Sequence, residues 1–379
     1  MKLGMAERAL PMLLAFSWLG ACQTGSGSAE PGRWRLVEEW RLGTAEDGPE
    51  AFGQIRAILV DRRAHVWVLD SKTQEIRVFD STGGFVRTVG RSGSGPGEFV
   101  GATGMAQGAD GTIWVADPNS MRLTGFDEDG RFAGQALAPA QGYGYLWEGA
   151  VDSTGRLWDP FRTIDSARPE GRLRYRRFAP GMARADTVDL AACRPPPDRP
   201  TPPVIRGHGG GASIPFLPTA LTAIDFNGQV ACIPWSAEYS GVIVDLVGGD
   251  TLVRFHRRAS MIAVRPAERD SEIAGLTKFS KQIGADFSAA MVPTEQPAIV
   301  RLHFDDRGRL WVRRITEAGR TEFDRFDGKG RLEATITTLI SPGYPAPVFR
   351  GDRVYFVLQG PDDIPQVTRL RIDRTPEPR

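Results

Sequence analysis

Asp110-Gly111-Thr112-Ile113-Trp114-Val115-Ala116-Asp117 decides the fold, because the chain repeats it. An acidic or glycine turn opens the stretch, an apolar-Trp-Val core follows, and an Asp closes it. Variants run from Asp61 to Asp70 around Trp67, from Asp152 to Asp159 around Trp158, and from Asp305 to Val312 around Trp311. Looser copies are Asp225 to Cys232 and Arg350 to Val357. Short apolar runs bounded by Gly and Asp read as strands joined by tight turns.

The runs flanking the first two copies complete a larger unit. Residues 55–60, 66–69, 76–79 and 85–89 read as four strands, and 103–106, 113–116, 123–126 and 132 onward as four more. Four short strands per repeat is the signature of a propeller blade. The large aromatic of each repeat then fills the wedge between neighbouring blades, and its Asp and Gly residues form turns. The repeat positions are Trp67, Trp114, Trp158, Ala231, Trp311 and Tyr355, separated by 47, 44, 73, 80 and 44 residues. Three steps match one blade, and the two long ones match a blade plus an insertion of about thirty residues. The expected fold is therefore all-β: a six-bladed β-propeller of four-stranded antiparallel blades, with one inserted helix.

The propeller is expected over residues 33–374, with insertions at about 159–172, 191–218 and 265–292. Residues 33–42 (RWRLVEEWRL) precede the first repeat and read as a strand that joins the last blade and fastens the ring. Asp159-Pro160 is expected to break the strand after Trp158, which resumes at 173–178. A tract with six Pro in nine residues (195–203) then leads to Gly207-His208-Gly209-Gly210-Gly211, an irregular excursion over one face of the ring. The helix is expected at 266–287, with Pro266 in its first turn and Glu268 and Asp270 at its positive end. The tail 375–379 reads as frayed.

Between the first two repeats lies Gly90-Arg91-Ser92-Gly93-Ser94-Gly95-Pro96-Gly97-Glu98-Phe99. No Gly-Lys-Ser/Thr and no helix follow it, so it is a crossover with Phe99 plugged into the core rather than a phosphate loop. This run, the Asp-Gly-Thr-Ile-Trp-Val-Ala-Asp strand and the Phe126-Asp127-Glu128-Asp129-Gly130 turn together resemble the NHL-type six-bladed β-propellers, in particular the bacterial lipoprotein subset. The resemblance covers residues 52–135 and 292–332. It implies the propeller fold and an extracytoplasmic address.

The N-terminus bears on that address. Lys2 and Arg8 precede an apolar run, 9–19, too short to span a bilayer and laid out as a secretory signal. Leu19-Gly20-Ala21-Cys22 resembles the bacterial lipobox, so residues 1–21 read as a lipoprotein signal peptide and Cys22 as the lipidated residue. Residues 22–32 (CQTGSGSAEPG) read as a flexible tether. The expected location is the cell envelope, with Gln23 fitting outer-membrane sorting. Cys193 and Cys232 then sit in an oxidising compartment, where a disulfide between them and two unpaired thiols are both open readings.

In 379 residues, 41% hydrophobic and 25% charged, the formal charge is +1. That balance supplies no attraction for nucleic acid or an anionic membrane surface, and leaves lipid as the anchor. A monomer is expected. Arg outnumbers Lys, and Gly 44 and Pro 28 suit a turn-rich β protein.

Chemistry on this scaffold belongs where the inner strands line the central channel. The polar and aromatic candidates there are Arg56, Trp147, Glu148, Arg301 and His303. No Gly-x-Ser-x-Gly, Cys-His pair or His-Glu-x-x-His occurs, and the four His fall in unrelated positions. No catalytic or metal-binding residue is assigned; calcium is the one cofactor kept open. The reading is a non-catalytic binding module for an unknown protein, peptide or saccharide. The alternative is a lactonase- or lyase-like propeller enzyme dependent on calcium or zinc. A further reading has it as a partner in an envelope complex, through the ring edge or the Pro-rich loop.

Overall fold

A turn built on a buried aspartate starts the pattern. Asp61, Asp152, Asp225 and Asp305 each accept two backbone N–H bonds on Oδ1, from the residues two and four positions on, at 2.7–3.0 Å. In three of the four, Oδ2 also accepts the indole N–H of the Trp six residues later: Trp67 at 2.9 Å, Trp158 at 2.8 Å and Trp311 at 3.2 Å. The carboxylate thus fixes the turn and the ring at once, and its burial is offset by the bonds it accepts.

The computed structural model describes residues 31–44, 47–137, 147–165, 168–179, 185–208, 210–340 and 345–375. The expected signal segment, Cys22 with its expected lipidation, the expected tether up to residue 30 and the tail 376–379 lie outside the described residues. The chain is a ring of four-stranded antiparallel sheets. Blade 1 is β2 (Ile55–Val60), β3 (Val66–Asp70), β4 (Glu75–Phe79) and β5 (Phe85–Val89). Blade 2 is β6 (Gly104–Gln107), β7 (Ile113–Asp117), β8 (Arg122–Phe126) and β9 (Phe132–Leu137). Blade 3 is β10 (Ala150–Val151), β11 (Leu157–Asp165), β12 (Arg168–Phe178) and β13 (Ala185–Val188).

A hairpin of β14 (Val204–Gly207) and β15 (Gly210–Ser213) precedes blade 4, which is β16 (Leu221–Ile224), β17 (Gln229–Ile233), β18 (Ser240–Asp245) and β19 (Thr251–His256). A short pair, β20 (Met261–Ala263) and β21 (Glu295–Pro297), brackets the helix α1 (Pro266–Ile283). Blade 5 is β22 (Ile299–Phe304), β23 (Leu310–Ile315), β24 (Thr321–Phe326) and β25 (Leu332–Thr338). Blade 6 takes β26 (Val348–Arg350), β27 (Arg353–Gln359) and β28 (Pro365–Asp373) from the C-terminus. Its outer strand is β1 (Gly32–Leu42) from the N-terminus.

The N-terminal strand does fasten the ring. Arg35 to Leu42 pair antiparallel with β28, while Gly32 to Trp34 pair parallel with β25 of blade 5. Trp34 lies 6.2 Å from Trp311, with the Arg325 guanidinium over both rings, and Trp40 lies 6.0 Å from Tyr355. Pairing begins at Gly32, one residue inside the stretch assigned to the tether.

One apolar cluster fills each blade junction. Trp67 packs with Ile113, Val115 and Phe126 between blades 1 and 2. Trp114 and Leu123 pack with Val151 and Phe178 of blade 3. Trp158 meets Val230 and Val244, and Ala231 meets Ile299 and Leu302. Trp311 stacks on Phe349 at 4.4 Å, and Tyr355 meets Ile58 and Val66, which closes blade 6 on blade 1. Burying a ring of 150–250 Å² stabilises by roughly 4–6 kcal/mol at about 25 cal/mol per Å². Phe99 is fully buried, as the crossover reading requires.

Three expectations change. Asp159-Pro160 does not break its strand: β11 runs through Pro160, which pairs in register with Tyr175. Beyond Trp158 this strand has only β12 beside it among the described residues, because β10 reaches no further, and a strand with one neighbour tolerates proline. The excursion is a long hairpin, not a gap. Second, α1 ends at Ile283 rather than at 287, where Gly284 takes the left-handed conformation (φ 64°) and its N–H bonds the Ser280 carbonyl. Third, Trp114, the ring in the motif quoted above, is only half-buried. Position 108, six residues before it, is Gly, and Asp110 instead caps Thr112.

Blade 4 tests the role of the aspartate, since Ala231 offers no indole. Oδ2 of Asp225 takes the Asn227 amide instead, at 2.9 Å, and burial leaves its carboxyl above the ordinary value. In Asp152 burial acts the same way, but bonds from Thr154, Trp158 and the backbone outweigh it, so its carboxyl lies below the ordinary value. Asp152 therefore contributes stability that is present above about pH 4 and lost as pH falls, whereas the contribution of Asp225 is present below about pH 4 and lost as pH rises. Denaturant unfolding at pH 7 is expected to show Asp152→Asn destabilised by about 2–3 kcal/mol and Asp225→Asn by less than about 1 kcal/mol, the gap narrowing toward pH 3. Equal losses at pH 7 would refute the pairing argument.

Candidate functional site: a roofed cavity on the channel axis

Inner strands β2, β16, β22 and β26 and the residues around β6 and β10 enclose a cavity of about 1080 Å³. Arg56, Trp147, Glu148, Arg301 and His303, the five positions chosen from sequence, all line it. They come from three blades, and only the ring topology brings them together.

Trp147 is seated by glycine. A side chain at Gly149 would put its Cβ 2.1 Å from the Trp147 ring and 2.7 Å from the Trp158 carbonyl, so the bare backbone is what lets the indole lie there. The Trp147 indole N–H donates to Asp159 Oδ1 at 2.8 Å, and Arg176 Nε donates to Oδ2 at 2.9 Å. Burial, though opposed by Arg176 and these bonds, holds the Asp159 carboxyl above its ordinary value. Glu148 is ion-paired with Arg301. His303 is buried between Phe323 and Phe349, and its Nε2 has no partner among the described residues. Burial, with Arg301 and Arg313 adding to it, keeps the imidazole well below its ordinary value and therefore neutral at pH 7. The half-buried Arg56 makes no side-chain hydrogen bond or ion pair among the described residues.

The insertions form the roof. A disulfide joins Cys193 to Cys232 of β17, with Cα atoms 5.3 Å apart. From Arg194 the Pro-rich tract lines the cavity, and the β14–β15 hairpin continues that lining. Proline fixes φ, so this tract is stiff. The hairpin is docked on α1: the His208 backbone N–H bonds the Ile283 carbonyl at 2.7 Å, and a Cβ at Gly207 would sit 2.1 Å from that same oxygen. Ile205 and Ile214 share a small core with Leu276 and Ile283 of the helix. The His208 side chain is exposed and does not line the cavity.

Sequence reasoning passed over Asp159, Arg176 and Tyr175 as wall residues, since it broke the strand that carries them. Among the described residues, no group of three or more His, Cys, Asp or Glu comes together in a way that could hold a metal ion. No helix among them is long and apolar enough to cross a membrane.

The model of the DUF5128 family, described as a 6-bladed beta-propeller, matches residues 41–139. The chain is a six-bladed β-propeller. No curated protein matches it in sequence. Among solved structures it is similar to a DUF4221 family member from Bacteroides vulgatus (TM-score 0.56, 10% identity, 91% of this chain and 100% of that one). It is also similar to a putative exported protein from Bacteroides fragilis (0.51, 14%, 90% and 95%). A calcium-binding protein, regucalcin, from Agrobacterium tumefaciens follows at a TM-score of 0.45 and 13% identity, over 92% of this chain and 98% of that one. At these identities the likeness shows the fold alone.

The Arg176–Asp159 pair, with side chains 13% and 4% exposed, is buried enough for its removal to be felt. Arg176→Met is expected to cost about 3–5 kcal/mol in equilibrium unfolding, because it strands a buried carboxylate. Combining it with Asp159→Asn should restore a large part of that loss. A double variant as unstable as the sum of the two singles would show that the pair is not coupled.

Proposed function

We propose that this protein is an extracytoplasmic binding propeller of the NHL-type lipoprotein kind, held to a membrane through lipid on Cys22, that holds its ligand in the roofed cavity without transforming it. The observation that carries the reading is the cavity itself. Ligand sites are concave, largely preformed and lined by apolar surface with a few placed polar groups. Here the walls combine Trp147 and the proline roof with Arg56, a cation that has no partner among the described residues. A volume of about 1080 Å³ suits a short saccharide or peptide segment better than a folded partner.

The address rests on separate support. A disulfide at the foot of the roof fits an oxidising compartment. The sequence Leu19-Gly20-Ala21-Cys22 fits lipidation, and stable anchoring follows from multiple acyl chains.

Two measurements test the reading. Cys22→Ser is expected to move the protein from the membrane to the soluble fraction of its host; retention in the membrane would contradict the anchor. For the site, full-length protein is titrated with envelope-derived saccharides and peptides and followed by thermal unfolding. A binder present at 100 times its Kd should stabilise by about 2.7 kcal/mol. Replacing residues 195–203 by a Gly-Ser tract should weaken that binder at least tenfold. Unchanged affinity after the replacement would place the ligand elsewhere.

A further inference from the structure

The charge balance of the cavity points to a ligand class. Seven arginines and three acids line it. All three acids are engaged: Asp117 accepts the backbone N–H groups of Val100, Gly101 and Ser120, Glu148 pairs with Arg301, and Asp159 pairs with Arg176. Arg194 and Arg199 are paired with Asp189 and Glu238, neither of which lines the cavity. Arg122 donates to the carbonyls of Ser94 and Glu98. Arg206 is engaged as well. Arg56 has no such commitment. Among the described residues the cavity therefore presents one uncommitted guanidinium, half-buried, where the weaker screening of a partly dry site strengthens its pull on an anion.

We propose that the cavity takes an organic carboxylate of the acidic-sugar class, with the carboxylate on the Arg56 guanidinium and the sugar ring against Trp147. The inference rests on the cavity being the ligand site.

Two observations select this class. A single planar guanidinium matches a carboxylate bidentately and balances its one charge, whereas a phosphate dianion would keep a net charge on one fork. The Trp147 indole N–H is spent on Asp159, so what the ring offers a ligand is its apolar face, which suits the C–H side of a sugar.

The test is calorimetric titration of full-length protein with D-glucuronate, D-glucose, hexanoate and inorganic phosphate. D-glucuronate is expected to bind at least tenfold more tightly than D-glucose and hexanoate, and phosphate more weakly than either carboxylate. Arg56→Gln should weaken D-glucuronate at least tenfold while leaving D-glucose unchanged, and Arg56→Lys should recover only part of the loss. Raising the salt concentration should weaken the three anions and leave D-glucose unchanged. Because Arg56 has no described partner, its substitution should leave the unfolding midpoint in place, which separates lost binding from lost folding. Phosphate outranking the carboxylates, or equal affinities in the wild type and Arg56→Gln, would overturn the proposal. D-glucose binding as tightly as D-glucuronate would keep the cavity as a ligand site and discard the carboxylate. No binding by any of the four would discard the acidic-sugar class, while the broader titration above would still decide whether the cavity binds at all.

Discussion

A carboxylate that serves two partners at once sets the geometry of this ring. In blades 1, 3 and 5 one oxygen of the turn aspartate gathers the backbone of a tight turn, and the other holds the indole of the next strand. With both satisfied, the carboxylate can sit buried at the base of a blade. The indole so oriented enters the neighbouring blade and joins the cluster that fills the wedge. Local turn chemistry and blade-to-blade packing are thereby one constraint. Where the indole is missing, in blade 4, Asn227 takes its place and the aspartate is less well satisfied.

Ring closure has a different origin. The last blade lacks an outer strand of its own until β1 returns to it, so the two ends of the chain are tied by one sheet. The parallel step of β1 onto β25 also ties blade 5 to blade 6. Both long insertions meet where α1 supports the hairpin, and the hairpin and the proline tract both line the cavity. Asp324 does comparable work between blades 4 and 5: wholly buried, it accepts from Tyr239, Arg314 and Thr335 and pairs with Arg257.

The fold was legible because the repeat is a local code. Trp67, Trp158, Trp311 and Tyr355 fall at the same place in blades 1, 3, 5 and 6, and spacing alone reveals them. The N-terminal strand could be placed by its lack of a repeat. The channel residues were legible by register, which is why five chosen positions line one cavity. The roof was not, since its meaning depends on contacts between residues as distant as Gly207 and Ile283. The wall of blade 3 was obscured by Pro160, whose usual role as a strand breaker is relaxed where a strand has a single neighbour. The aspartate–indole bond was visible as a six-residue spacing. It was masked by starting from the copy around Trp114, where glycine replaces the aspartate.

Hydrogen–deuterium exchange of the full-length protein, with and without an envelope saccharide digest, tests the central claim most directly. The account predicts slowed exchange confined to β2, residues 147–149 and the roof from 194 to 213, with the outer strands unaffected. Protection confined to the outer strands or the ring edge would contradict it.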